Sequence, residues 1–331
     1  MKQIEKKNRK GMWITLWIIL GLMLVLVIFE MIPPKSVVDE NSFINGEDTL
    51  PMIAVQCGGG INNPENTLLA YRMAVNKYGI QICKTDLWMT RDGHLVYSYD
   101  ASINRLACPE GAEQVTISEH TLAELRTYNM GYNFKDPVSG EYIYRDAAEE
   151  EQLALGLKIL EFPELLEEFY DKKKDFKFIV EIKNDGEMGY KAAEIIDKTL
   201  TEHFPAYKNN LVVGTAHPAV EAYLQENHPT LFRGASTSDA KKFIFTQMFG
   251  INLFDTADFV CLQIPMKYMI AGIPLDLTWR TYISRAHRRN IAVQYGVIND
   301  EDDMRFLIEK GADAIITDNP MLLKQVLDEY Q

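Results

Sequence analysis

The chain has 331 residues, 47% of them apolar, which is ample for one large core once any targeting segment is set aside. Its formal net charge of −13 leaves no basic stripe outside the N-terminal tail, which excludes a nucleic-acid partner as the natural reading. Four cysteines, Cys57, Cys83, Cys108 and Cys261, lack C-x-x-C spacing and do not suggest a zinc site.

Residues 1–10, MKQIEKKNRK, form a basic tail, and residues 11–32 follow as an apolar segment whose first 19 positions carry no charge. A helix of roughly 20 such residues crosses a bilayer. After the uncharged run stand Glu30, Asp39, Glu40, Glu47 and Asp48 against Lys35 alone. The positive-inside rule then puts the tail in the cytoplasm and the rest of the chain outside the cell membrane. Trp13 and Trp17 near the cytoplasmic end suit an interfacial belt. A cleaved signal peptide fits less well, because EMIPPKS follows the run with no A-x-A pattern. An extracytoplasmic location permits disulfides, and four cysteines leave three full pairings open. Cys83 and Cys261 sit in apolar runs and read as buried small hydrophobes.

Residues 33–50, with paired prolines and acidic and polar residues, read as a linker. From residue 51 short apolar strands alternate with amphipathic helices. MIAVQC is a strand, ENTLLAYRMAVNKY a helix, QICKTDLWM a strand, TRDG a turn and HLVYSYD a strand. LEFPELLEEFYDKK is a helix, FKFIVEIK a strand, GYKAAEIIDKTLTEHF a helix and NLVVGTA a strand. AVEAYLQENHP is a helix, and FRGAST and FVCLQIP are strands. TWRTYISRAHRRN, EDDMRFLIEKG and PMLLKQVLDEY are helices around the strands IAVQYGVI and AIITD. This rhythm without a G-x-G-x-x-G opening predicts an α/β TIM (β/α)8 barrel over residues 51–331, not a doubly wound sheet. Residues 107–158 break the rhythm and predict a loop-rich insertion over the barrel mouth.

Barrel chemistry belongs at the C-terminal ends of the strands. In chain order those ends carry Gln56, Lys84 and Asp86, Tyr99 and Asp100, and Glu181 and Lys183. Together with Pro-Glu-Asn-Thr at 64–67, TRDGHLV, FIVEIK and GADAIITDNP, this order resembles the glycerophosphodiester phosphodiesterase family over residues 51–331. The resemblance implies a TIM barrel that hydrolyses glycerophosphodiesters to glycerol 3-phosphate and an alcohol, using a divalent metal on three carboxylates and two proton-moving histidines. Position by position, the family's His-Arg-Gly is Gln56-Cys57-Gly58 here, its Glu-x-Asp is Lys84-Thr85-Asp86, and its second His-Asp is Tyr99-Asp100. Glu181 and Lys183 match the family's Glu-x-Lys. The late family Trp falls at Gly296, while Asn299 is kept.

Diester hydrolysis needs a base for the attacking oxygen and an acid for the leaving one. Gln56 serves as neither, and Tyr99, a phenol, can at best donate. Two carboxylates, Asp86 and Glu181, remain of the metal set, beside an ammonium at Lys84 that disfavours a divalent ion. No cofactor is therefore expected, with Ca²⁺ or Mg²⁺ as the alternative should the metal site survive. Exchanging Glu for Lys changes the local charge by about +2, the charge of the lost metal, so an anion site can persist without it. Lys84, Lys183, Cys57, Asp100 and Arg105 are then the ligand candidates. The plainer alternative pairs Lys84 with Asp86 or Glu181. Glu65 and Asn66 read as structural support, Glu65 as an acceptor and helix-start carboxylate. Asp100 either fixes a loop or touches ligand, and Arg105 either touches ligand or clamps the insertion. The glycines 58–60 are a weak phosphate-nest signal. His94 is expected in solvent, His287 on the outer helical layer, and His217 as the one histidine placed to replace a proton carrier. The chain thus reads as a membrane-anchored, catalytically impaired family member that binds a glycerophosphodiester or wall-polymer ligand or acts as a scaffold. An active phosphodiesterase with atypical residues is the alternative. Its lipid contact is residues 11–32, and its oligomeric state is open.

Overall fold

The computed structural model describes residues 2–46, 49–270 and 272–331. A long helix α1 (Lys2–Met31) precedes eight parallel strands: β1 (Met52–Gln56), β2 (Ile82–Met89), β3 (Lys177–Ile182), β4 (Leu211–Thr215), β5 (Phe232–Arg233), β6 (Cys261–Ile264), β7 (Ala292–Gly296) and β8 (Ala314–Thr317). They pair in the order β5-β4-β3-β2-β1-β8-β7-β6. A parallel bridge between Gly234 and Cys261 joins the two edges, so the sheet is a nearly closed TIM barrel, as the sequence predicts.

Eight helices wrap the strands: α2 (Leu68–Tyr78), α3 (Phe162–Tyr170), α4 (Gly186–Glu202), α5 (Pro218–Asn227), α6 (Thr237–Met248), α7 (Arg280–His287), α8 (Glu301–Lys310) and α9 (Pro320–Asp328). The first of these begins at Leu68, three residues later than the sequence expectation. Asn66 adopts φ 55°, which a helix cannot continue, and the Thr67 hydroxyl caps by accepting from the Ala70 amide at 3.2 Å. Glu65 is therefore not a helix-start carboxylate.

Three further differences have physical causes. The segment HLVYSYD supplies Leu95–Tyr97, which pairs antiparallel with β2 and lies outside the barrel, so Tyr99 and Asp100 emerge from a loop. Helix α6 escapes sequence reading because Phe245 and Met248 face outward while Phe243 and Gln247 are buried, which blurs the apolar period. An antiparallel hairpin, Lys267–Ile270 with Ile273–Asp276, stands between β6 and α7 where the sequence reading has no strands. The stretch 107–158 is loop-rich as expected, and it shares a small core with the preceding loop in which Ile103, Val115, Ile117, Leu125 and Met130 are buried.

The segment expected as a linker is instead part of the barrel. Phe43 is fully buried among Met52, Ile82, Ile179, Val212, Ala292 and Ala314, which line the interior below the polar mouth. Asn41 donates to the carbonyls of Val260 and Asn290 at 2.8 Å each, and the Asn45 amide donates to Asp313 Oδ1 at 2.8 Å. These bonds satisfy backbone and carboxylate groups at the strand starts, and Phe43 fills the floor. Glu47 and Asp48, used above for topology, lie outside the described residues.

On the same side, α1 ends against α7. Glu30 pairs with Arg285 at 2.7 Å and Arg288 at 3.0 Å, and the Phe29 ring meets Phe254 edge-on at 5.1 Å. Helix α7 runs down to the start of β7, so α1 joins the floor, opposite the strand ends that form the mouth. All four cysteines are buried free thiols.

Truncating Phe43 to alanine leaves a void that the rigid strand ends cannot close. Urea unfolding of Phe43→Ala should show a loss of about 3–5 kcal/mol.

Candidate active site

Parallel register places the mouth residues in neighbouring pairs. Gln56 of β1 is the partner of Lys84 of β2, and Asp86 of β2 is the partner of Glu181 of β3. Positions 84 and 86 share the inner face because strand side chains alternate. The Lys84 ammonium donates to Gln56 Oε1 at 3.0 Å, and Gln56 Nε2 reaches Asp86 Oδ2 at 3.4 Å. Lys183 closes the set, its Nζ 3.2 Å from Glu181 Oε1 and 3.6 Å from Asp86 Oδ1.

It is thus Lys183, and not Lys84, that forms ion pairs with the two carboxylates, contrary to the plainer sequence alternative. Among the described residues no carboxylate lies within 4.0 Å of Lys84. Burial pushes the Asp86 carboxyl up to about 6; Lys84 pulls it down, Glu181 pushes it up and Lys183 pulls it down again. Lys183 itself stays above the usual lysine range: burial opposes its charge, and the carboxylates of Glu181 and Asp86 outweigh that. Cys57, at φ 51°, lines the same pocket, but burial, reinforced by Asp86 and Glu65, drives its thiol far up. It is a neutral wall and no nucleophile.

The other candidates separate into rim and clamp. Tyr99 stands at the rim, 54% exposed, its ring centre 5.9 Å from the Lys183 ammonium. Arg105 takes Glu65 bidentately at 2.9 and 2.6 Å and Asp100 at 2.7 Å. That makes Arg105 a clamp from the first loop to the loop after Leu95–Tyr97, with Asp100 fixing it. Asn66 is wholly buried, accepting from the Tyr71 hydroxyl at 3.0 Å and Thr85 at 2.9 Å, so it supports β2 from behind. The glycines serve close approach: a side chain at Gly58 would begin 2.8 Å from Ala70 Cβ, and one at Gly59 2.9 Å from Pro320.

His217 does not reach the pocket. Its Nε2 sits 3.0 Å from the Lys183 carbonyl and its Nδ1 3.5 Å from Asp185. His94 is half-exposed but tied to Glu161 at 2.6 Å, and His287 on α7 bonds Asp313 at 2.8 Å on the floor side. Sequence reading missed Ile61, Val297 and Asp318, which line the pocket. Asp318 was legible in the TDNP stretch, where Asn299 Nδ2 donates to it at 2.9 Å. At position 296 a side chain would begin 2.4 Å from Ile316 Cβ, so Val297, one residue on, is the pocket-facing group of that strand end. The whole pocket encloses about 550 Å³.

The residues present do not fit a divalent metal. Asp86 and Glu181 are both engaged by Lys183, and Lys84 brings a second positive charge where a third oxygen ligand is needed. No cluster of three or more His, Cys, Asp or Glu with metal-holding geometry occurs among the described residues.

Residues 58–322 match the model of the glycerophosphoryl diester phosphodiesterase family. The chain belongs to that family. A glycerophosphodiester phosphodiesterase of Bacillus altitudinis is 23% identical over 270 residues, covering 82% of this chain and 95% of the relative. Another from Bacillus subtilis is 22% identical over 306 residues, covering 91% and 94%. Among solved structures, the glycerophosphoryl diester phosphodiesterase domain of a Mycobacterium tuberculosis protein superposes with TM-score 0.67 at 16% identity, covering 84% of this chain and 99% of the domain. A phosphodiesterase of Oleispira antarctica, solved with the product sn-glycerol-3-phosphate, gives TM-score 0.59 at 18% identity, covering 84% and 97%.

If Lys84 is what bars the metal, a carboxylate at that position should admit it. Thermal unfolding of Lys84→Glu should shift upward on adding Ca²⁺, by about 2.7 kcal/mol of added stability at a hundredfold excess over Kd. The unsubstituted protein should not respond.

Proposed function

We propose that this member of the family is a membrane-anchored, non-hydrolytic binder of a glycerophosphodiester-type anion that works without metal. The observation that carries the reading is Lys84, a pocket-lining ammonium held by the neutral amide of Gln56 and not by a carboxylate. Such a lysine keeps donors free for a phosphate oxygen, whereas Lys183 is occupied by its two acids. Loss of catalysis is supported by Gln56 and Tyr99 standing where the family resemblance implies histidines, and by His217 bonding a carbonyl away from the pocket.

Anchoring is supported by one N-terminal helix, Gly11–Met31, long and apolar enough to cross a membrane and flanked by the basic tail. On this reading the tail is cytoplasmic and the barrel extracytoplasmic, where lipid headgroups or glycerophosphate wall polymers are the candidate ligands. An impermeant thiol reagent added to intact cells should then label Val138→Cys, whose parent side chain is 93% exposed. Labelling only after lysis would reverse the topology.

A specific observation also supports an active enzyme. Asp86, with its pKa near 6, is poised for proton transfer, and Tyr99 stands at the rim as a donor. Turnover of glycerophosphoglycerol by the full chain separates the two readings. The binder reading expects none, and turnover that is lost in Lys84→Ala and Tyr99→Phe would overturn it.

Calorimetry with the same diester, which keeps one negative charge across the range, should show binding weakened about tenfold or more in Lys84→Ala. The sign of the pH dependence follows from Asp86. Below about pH 6 it is neutral, the pocket is one charge more positive, and an anion is favoured. Affinity should rise as pH falls through about 6 and flatten in Asp86→Asn. Absence of binding at millimolar diester would leave only a scaffold.

A further inference from the structure

The outer face of α6 carries apolar side chains that no described residue of the barrel covers. Phe245, Met248 and Phe249 are 60%, 48% and 54% exposed, and Phe254 a few residues on is 60% exposed. Phe245 and Met248 follow Lys241 at helical spacing, four and seven residues on, so they form one stripe. The Phe245 and Phe249 rings meet at 4.9 Å. Single exposed apolar residues are ordinary, whereas a contiguous aromatic patch marks a contact surface. The patch also borders a groove of about 640 Å³ between α6 and the Lys267–Asp276 hairpin, lined by Ile244, Met269 and Leu275.

Where the patch lies decides what covers it. Immediately after Phe249, the position of a side chain at Gly250 is 3.3 Å from Glu30 Oε1 of α1. Arg285 bridges the two helices, pairing with Glu30 and donating to the Gln247 carbonyl. The Phe254 ring packs on Phe29, in the last turns of the apolar span. The exposed aromatics of α6 therefore lie beside the apolar end of α1, joined to it by the Phe29–Phe254 contact and flanked by the Glu30–Arg285 pair. Lys241 and Lys242 sit a turn above Phe245, where headgroup phosphates would lie alongside the apolar layer.

We propose that α6 is a second membrane contact, with Phe245, Met248, Phe249 and Phe254 lodged among the lipid acyl chains of the leaflet from which α1 emerges. The proposal rests on α1 spanning the membrane. It holds the barrel floor toward the bilayer and turns the mouth away from it. The anion pocket then takes ligand from the water side and not from the leaflet beneath.

Nitroxide depth measurement on the full chain tests this, in vesicles of phosphatidylcholine and phosphatidylglycerol. Labels go on Phe249→Cys, Phe245→Cys, Leu20→Cys and Val138→Cys, with the unsubstituted protein and its buried thiols as blank. Collision with oxygen, relative to a water-soluble nickel chelate, should be severalfold higher at Phe249 and Phe245 than at Val138, and highest at Leu20. Phe249 and Phe245 behaving like Val138 while Leu20 is deep would overturn the α6 contact and leave the anchor standing. Leu20 in water would overturn the anchor, and the α6 contact with it. Should either aromatic substitution fail to fold, the other still reports.

Discussion

The site depends on the parallel register of its first three strands. Because β1, β2 and β3 are in step, Gln56 meets Lys84 and Asp86 meets Glu181 across adjacent strands. Alternation along β2 then puts an ammonium and a carboxylate on the same inner face. Lys183 enters from just beyond β3 and holds both acids. Lys84 stands where the family resemblance implies an acid, and the row alternates in charge, with the Lys84 ammonium on the pocket wall beside the neutral Gln56 amide.

Around that row the loops are held rigidly. Arg105 ties Glu65 to Asp100, so the first loop and the loop that carries Tyr99 are held together. Asn66 and Thr85 fix β2 from behind, and the glycine turn lets the loop pack on α2 and α9. Such rigidity serves binding as well as catalysis, because preorganised donors need no reordering when ligand arrives. The burial that raises Asp86 to about 6 also silences Cys57. Low dielectric favours the neutral form of both.

The two ends of the barrel have different neighbours. At the floor, Phe43 and the asparagines around it close the interior, and Glu30 joins α1 to Arg285 and Arg288. The mouth lies at the far end of the strands. The end of α1 and the pocket are thereby separated by the length of the barrel, with the pocket facing away from that helix.

The sequence by itself determined much of this protein: the eight barrel strands among nine that it offered, the long apolar helix, the pocket positions Gln56, Lys84, Asp86, Glu181 and Lys183, and the absence of histidines where the family resemblance expects them. Each is legible because strand alternation and helix length are local properties, written in neighbouring residues. Only the tertiary structure decided which ammonium meets which acid. The pairing of Lys183 with both carboxylates, and of Lys84 with Gln56, depends on register between strands far apart in the chain. The same holds for Phe43, which reads as linker because its partners come from six separate strands, and for α6, whose apolar outer stripe follows no core. Local periodicity reports which face is buried against the domain, and it is silent where the covering partner is a remote strand or lies outside the barrel.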